Sequence, residues 1–202
     1  ILVNDHNIIP HLTHPLIYNL IRNNDNIRKE VTNTPKALHS LTTLYIYKIG
    51  THLSYENDQL TLALRSGSRE CLFSIQYRGD ASTQSELVNA NFTRVFAIAI
   101  GTASGSGEEY DNEIYLKLNY IFWFISNLNK GRYYNAIFPP QPLLAHRSDE
   151  QIEEEGGNEE IDSQLINKGK NDDIKDYANK AKGAILNYFI EQGNQRPIWY
   201  NW

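Results

Sequence analysis

Tyr77 and Arg78 close an apolar run and stand directly before Gly79-Asp80, so an aromatic and a charged side chain reach the mouth of a turn together. Function tends to sit where a rigid element hands side chains to a loop. Other residue types with chemical reach are less well placed. His6, His11 and His14 cluster near the start of the chain, but none of the six histidines has a close ligand spacing such as H-x-x-x-H, and no metal site is expected. Cys71, the single cysteine, cannot form an intrachain disulfide. It lies in an apolar run, where a cysteine reads as a small buried hydrophobe rather than a nucleophile. No G-x-S-x-G elbow is present, so hydrolase chemistry through an activated serine has no anchor.

A second feature is the run Gly101–Gly107, GTASGSG, between an apolar stretch and a helical one. Its G-x-x-x-G-x-G spacing is similar to the cofactor loop of short-chain dehydrogenases, in which phosphate or ribose packs against a helix N-terminus. Glu108 and Glu109 place negative charge where phosphate would sit, and no Tyr-x-x-x-Lys follows. A plain flexible turn is the expectation, and no cofactor is assigned.

Composition bounds the rest. The 202 residues are 41% hydrophobic and 11% aromatic, enough for one sizeable core or one domain with an appended subdomain. A net charge of −5 argues against a general nucleic-acid binder. No apolar run is long enough to span a membrane. The first residues, ILVNDHNIIP, lack the basic and apolar regions of a signal peptide, and with no Met anywhere the chain reads as a processed segment, secreted if a leader has been removed. Asn91-Phe92-Thr93 is an N-glycosylation sequon, usable only on that route.

The elements follow from periodicity. Thr13–Val31 reads as an amphipathic helix with Leu16, Ile17, Leu20, Ile21 and Ile27 on its apolar stripe. Ala37–Ile49 is ambiguous, with Leu44 to Tyr47 favouring strand. Leu60–Arg65 and Cys71–Tyr77 read as paired strands joined by Ser66-Gly67-Ser68. Phe92–Ile100 is nearly continuously apolar, as in a strand buried on both faces. Glu108–Leu128 reads as a buried central helix ended by Gly131, and Phe138–Pro142 as an extended turn. Asp149–Asp162 carries eight acidic residues and no basic one, and reads as a solvated loop or linker rather than a cation site. Asp172–Gln192 is a final helix, and the tail Pro197–Trp202 is aromatic enough to pack on the domain or on a partner.

The segment Pro15–Gly79 resembles the N-terminal half of plant ribosome-inactivating proteins, the rRNA N-glycosidases. Ile17-Tyr18-Asn19-Leu20-Ile21-Arg22-Asn23-Asn24 is similar to the end of that family's opening helix, Thr34-Pro35 to its proline loop, Leu60–Arg65 to a following strand, and Ile75-Gln76-Tyr77-Arg78-Gly79 to a strand closing on tyrosine. The resemblance implies an adenine of ribosomal RNA stacked between two tyrosines, with an arginine polarising the base and a glutamate stabilising an oxocarbenium-like sugar. Tyr77 takes the first tyrosine position and Tyr110, after the glycine run, the second. The family's S-E-A-A-R-F helix has no match: aligning Asn187–Gln192 to the residues after that motif puts Gly183 and Leu186 where Glu and Arg belong. Glu191 and Arg196 are the nearby pair, without the family spacing. The plainer readings are a half-buried strand-end tyrosine for Tyr77, a helix N-terminal packing residue for Tyr110, and a surface pair at a helix end for Glu191 and Arg196.

The expected fold is therefore α+β: a mixed or antiparallel sheet with a buried central helix and a C-terminal helix. Residues 1–145 form the core domain, 146–171 the acidic loop, and 172–202 the last helix and aromatic tail. Two functions stand beside each other, an N-glycosidase-like protein, active or degenerate, and a non-enzymatic interaction or structural protein, such as a viral coat or assembly subunit, whose aromatic tail meets a protein partner.

Overall fold

The computed structural model describes residues 17–51, 54–106, 111–166 and 172–186. Among them there is no strand: a lone bridge between Arg132 and Phe138 is the β pairing, and helices joined by turns and short loops make up the rest. The α+β expectation is thus overturned, and the segments Leu60–Arg65 and Ile75–Arg78, expected as strands, are helical. The chain divides into two compact units, Ile1–Val95 and Phe96–Trp202.

The first unit holds α1 (residues 17–23), α2 (Asp25–Asn33), α3 (Ala37–Tyr45), α4 (Tyr55–Arg78), α5 (Ala81–Asn89) and the start of α6 (Phe92–Ser106). The helix expected over Thr13–Val31 is divided at Asn24, whose side chain accepts from the amides of Asn26 and Ile27 and caps α2. Arg28 is buried at this corner, donating to the carbonyl of Ile21 at 2.8 Å and pairing with Asp25. Pro35 pushes Thr34 into extended backbone and stops α2. The segment that read as ambiguous becomes α3, packed on α4.

The paired strands Leu60–Arg65 and Cys71–Tyr77 are one continuous 24-residue helix, α4, capped by Ser54. Ser66-Gly67-Ser68 makes no turn. Gly67 and Ser68 are buried, and the Ser68 hydroxyl donates to the carbonyl of Leu64, so its polar group is satisfied within the helix. Thr61, Ser68, Leu72 and Ile75 are buried at i, i+7, i+11 and i+14, a helical stripe that the alternation of Leu60, Leu62 and Leu64 concealed. A glycine inside a helix costs about 1 kcal/mol relative to alanine, less than the burial of one large apolar side chain such as Leu72, so packing decides. The supposed double-faced strand Phe92–Ile100 lies in α6 for the same reason. Phe92, Val95, Phe96, Ala99 and Ile100 are all buried, and a short apolar run cannot by periodicity alone be told from a buried helix. The helix continues to Ser106, so the flexible turn expected at Gly101–Gly107 is helical over residues 101–106.

The second unit continues α6 and adds α7 (Asp111–Lys130), α8 (Pro142–Glu154), α9 (Gly157–Ile166) and α10 (Asp172–Leu186). Ile114, Leu118, Ile121, Ile125 and Leu128 form the buried stripe of α7, and α10 packs along that helix with Ile174, Ala178, Ala181 and Ile185 inward. The Tyr115 and Tyr177 rings meet edge-on, 4.7 Å between centroids. Buried Lys117 donates to the carbonyl of Ala99 at 2.9 Å.

Asp149–Asp162 is not a loop. It spans the end of α8 and most of α9, turning the corner at Gly156, whose φ of +66° suits the left-handed residue that ends a helix. A Cβ on Gly157 would fall 2.7 Å from Ile152 Cγ2 and 2.9 Å from Ala97 Cβ, so the second glycine is a close-packing point. The acidic residues are solvated, but Ile152 and Ile161 are buried beneath them and hold the segment. No helix among the described residues is long and apolar enough to cross a membrane.

Candidate functional site

Tyr77 sits in the last turn of α4, 40% exposed, its ring stacked on that of Phe73 at 5.6 Å. It is a helix-end tyrosine rather than a strand-end one. Tyr110, Glu191, Arg196 and the tail Pro197–Trp202 lie outside the described residues, as do His6, His11 and His14. Of the four residues that the resemblance nominated, Tyr77 alone is placed. Cys71 is buried, and burial, helped by the charge of Glu70, pushes its thiol up to about 12, which removes the thiolate that a nucleophile needs. No group of three or more His, Cys, Asp or Glu is arranged to hold a metal among the described residues.

The first unit carries a groove of about 510 Å³ between the α2–α3 corner and α5, walled by Thr34, Lys36, His39, Ser82, Glu86 and Asn89. All six are exposed, so water serves them as well as a ligand would. The buried polar side chain of its lining, Thr32, donates its hydroxyl to the carbonyl of Arg28 at 2.9 Å, so that donor is already spent within the protein.

The second unit presents a different kind of surface in residues 131–143, between α7 and α8. Gly131 ends α7 with φ +78°, and Arg132 and Phe138 then exchange backbone hydrogen bonds of 2.9 and 3.1 Å across the base of a loop. Arg132 is only 1% exposed. Its Nε donates to the carbonyl of Ala136 at 2.9 Å, and its guanidinium lies over the Phe138 ring, 4.7 Å from the centroid. That contact is cation–π geometry in a desolvated setting, worth about 2 kcal/mol. The Gln141 amide donates to the carbonyl of Leu128, tying the outgoing strand of the loop to α7 at 2.7 Å. Asn135 takes φ +56° at the apex, a conformation asparagine tolerates.

The result is a pinned loop with exposed apolar side chains on either side of Asn135. Tyr133 is 76% exposed, Ile137 is 71% and Leu143, on the first turn of α8, is 77%. Tyr134 is half turned in, its hydroxyl 3.4 Å from Asn127 Oδ1. Arg132 is the sole charged residue from Gly131 to Leu143, and it is spent inward. Burying a side chain such as Ile or Leu is worth roughly 1.5–3 kcal/mol, so three left in water on an ordered loop are a store of unused binding energy. Sequence reasoning placed the helix end at Gly131 and an extended turn at Phe138–Pro142, but not the loop. The available signal was a single arginine among Tyr, Ala, Ile and Phe between a helix-ending glycine and three prolines.

No protein-family model matches the chain, and no curated protein or solved structure matches it either.

Proposed function

We propose that this chain is a non-enzymatic interaction protein that docks a partner through residues 131–143. The observation that carries this reading is the pairing of exposed Tyr133, Ile137 and Leu143 with the buried Arg132 that pins the loop beneath them. Aromatic and large aliphatic anchors held on an ordered backbone are what a binding hot spot requires, because little conformational entropy is lost when the partner arrives.

The test is to compare proteins co-purified with the native chain and with a Tyr133→Ser/Ile137→Ser double variant of equal helicity by circular dichroism. A partner retained by the native chain and lost by the variant is the expected result. An identical set of co-purified proteins would refute the reading.

A further inference from the structure

The interaction reading says nothing of what is bound, but the helix that continues the loop does. Leu143, Arg147, Glu150 and Glu154 fall at i, i+4, i+7 and i+11 of α8 and are all exposed, so they form one stripe that starts at Leu143, where the loop enters the helix, and runs roughly 17 Å along it. Glu153 is exposed beside it. Two carboxylates against one guanidinium leave the stripe acidic by one charge, and Glu153 beside it adds another. His146 Nε2 lies 3.6 Å from Glu150 Oε1 and offsets that carboxylate only when its imidazole is protonated.

We infer that the partner is a basic amphipathic protein segment, its apolar residues on Tyr133, Ile137 and Leu143 and its Lys or Arg side chains along Glu150 and Glu154. This inference rests on the interaction reading above. The apolar patch supplies affinity, and the carboxylates supply orientation and salt-dependent attraction. Two other occupants fit the charge less well. An anionic bilayer would be repelled by the stripe next to the inserting loop. A second copy of the chain in a two-fold dimer would place one acidic stripe near another.

The experiment pans a phage-displayed random peptide library on the full chain, with counter-selection on the Tyr133→Ser/Ile137→Ser variant. Loop-dependent binders rich in Lys and Arg around large apolar residues are expected. Ile137→Ser should weaken them about ten-fold or more, and Glu150→Gln and Glu154→Gln about three-fold each, with affinity falling as salt rises. Binders that need the loop yet ignore both glutamates and salt would overturn the partner's chemistry and leave the interaction reading standing. A library that yields no loop-dependent binder would count against both. Loop-dependent sedimentation with phosphatidylserine vesicles, or a dimer dissolved by Ile137→Ser, would assign the surface to another occupant and overturn the proposal.

Discussion

The guanidinium of Arg132 lies over the ring of Phe138 with its central carbon 4.7 Å from the ring centroid, both side chains buried, while the residues between them carry the most exposed apolar groups of the loop. One buried cation holds the shape of a surface that is itself uncharged. Arg132→Met keeps the volume but removes the donor to Ala136 and the ring contact. The expected outcome is a loss of about 1–3 kcal/mol of stability and faster amide exchange at Phe138, read by denaturant melts and hydrogen exchange.

Gly131 closes the same loop. Its φ of +78° disfavours any side chain, and a Cβ would stand 2.9 Å from the Phe138 carbonyl oxygen and 3.0 Å from Pro140 N, both backbone atoms. Gly131→Ala should cost about 1–3 kcal/mol. Gly101→Ala is the contrast. Its Cβ would meet only the flexible Glu160 side chain, 3.4 Å away, and helix propensity favours alanine. That variant should melt at or slightly above the native temperature.

Asp149 is buried in α8 with neither carboxylate oxygen hydrogen-bonded within the protein, and burial, with Glu150 adding repulsion, raises its pKa to about 8. The folded state therefore holds a proton that the unfolded chain releases near 3.8. Stability from the neutral carboxyl is complete below about pH 4 and drains away as pH rises to about 8, where the buried group ionises. Asp149→Asn should flatten this decline, with the gap between variant and native widening by up to about 1.4 kcal/mol per pH unit between pH 4 and pH 8. Melts at pH 5 and pH 8 decide it. A native slope left unchanged by the substitution would show that Asp149 is not its source.

Continuity of α4 gives a direct contrast with the hairpin the sequence suggested. Gly67→Pro would be tolerated in a turn between strands, but inside α4 it removes a helix hydrogen bond and clashes with the preceding turn. A cost of about 3 kcal/mol or more, seen as a large fall in melting temperature, is expected.

How far the sequence could be read differs from element to element. α10 was legible because its apolar residues recur at helical spacing, as Ile174, Ala178, Ala181 and Ile185 do, and α7 because Ile121–Ile125 is apolar all round inside a long window. α4 and α6 were misread for opposite reasons. In α4, small and polar residues at Gly67, Ser68 and Ser74 occupy buried positions, so the stripe is not written in hydrophobicity. In α6, the run Val95–Ile100 is apolar at every position, so no face stands out there. The acidic run hid its structure because net charge says nothing about two buried isoleucines at 152 and 161. The candidate surface was least legible of all. An exposed Ile137 and a buried Arg132 invert the usual pattern, and only the fold shows which is which.

The most direct measurement places a photo-crosslinking phenylalanine analogue at position 137 of the full chain, in extract from the cells that make it, with position 166 as an equally exposed control on α9. A discrete adduct from position 137 that position 166 does not give, and that Arg132→Met diminishes, is the expected result. Equal or absent adducts from the two positions would contradict the loop as a docking surface.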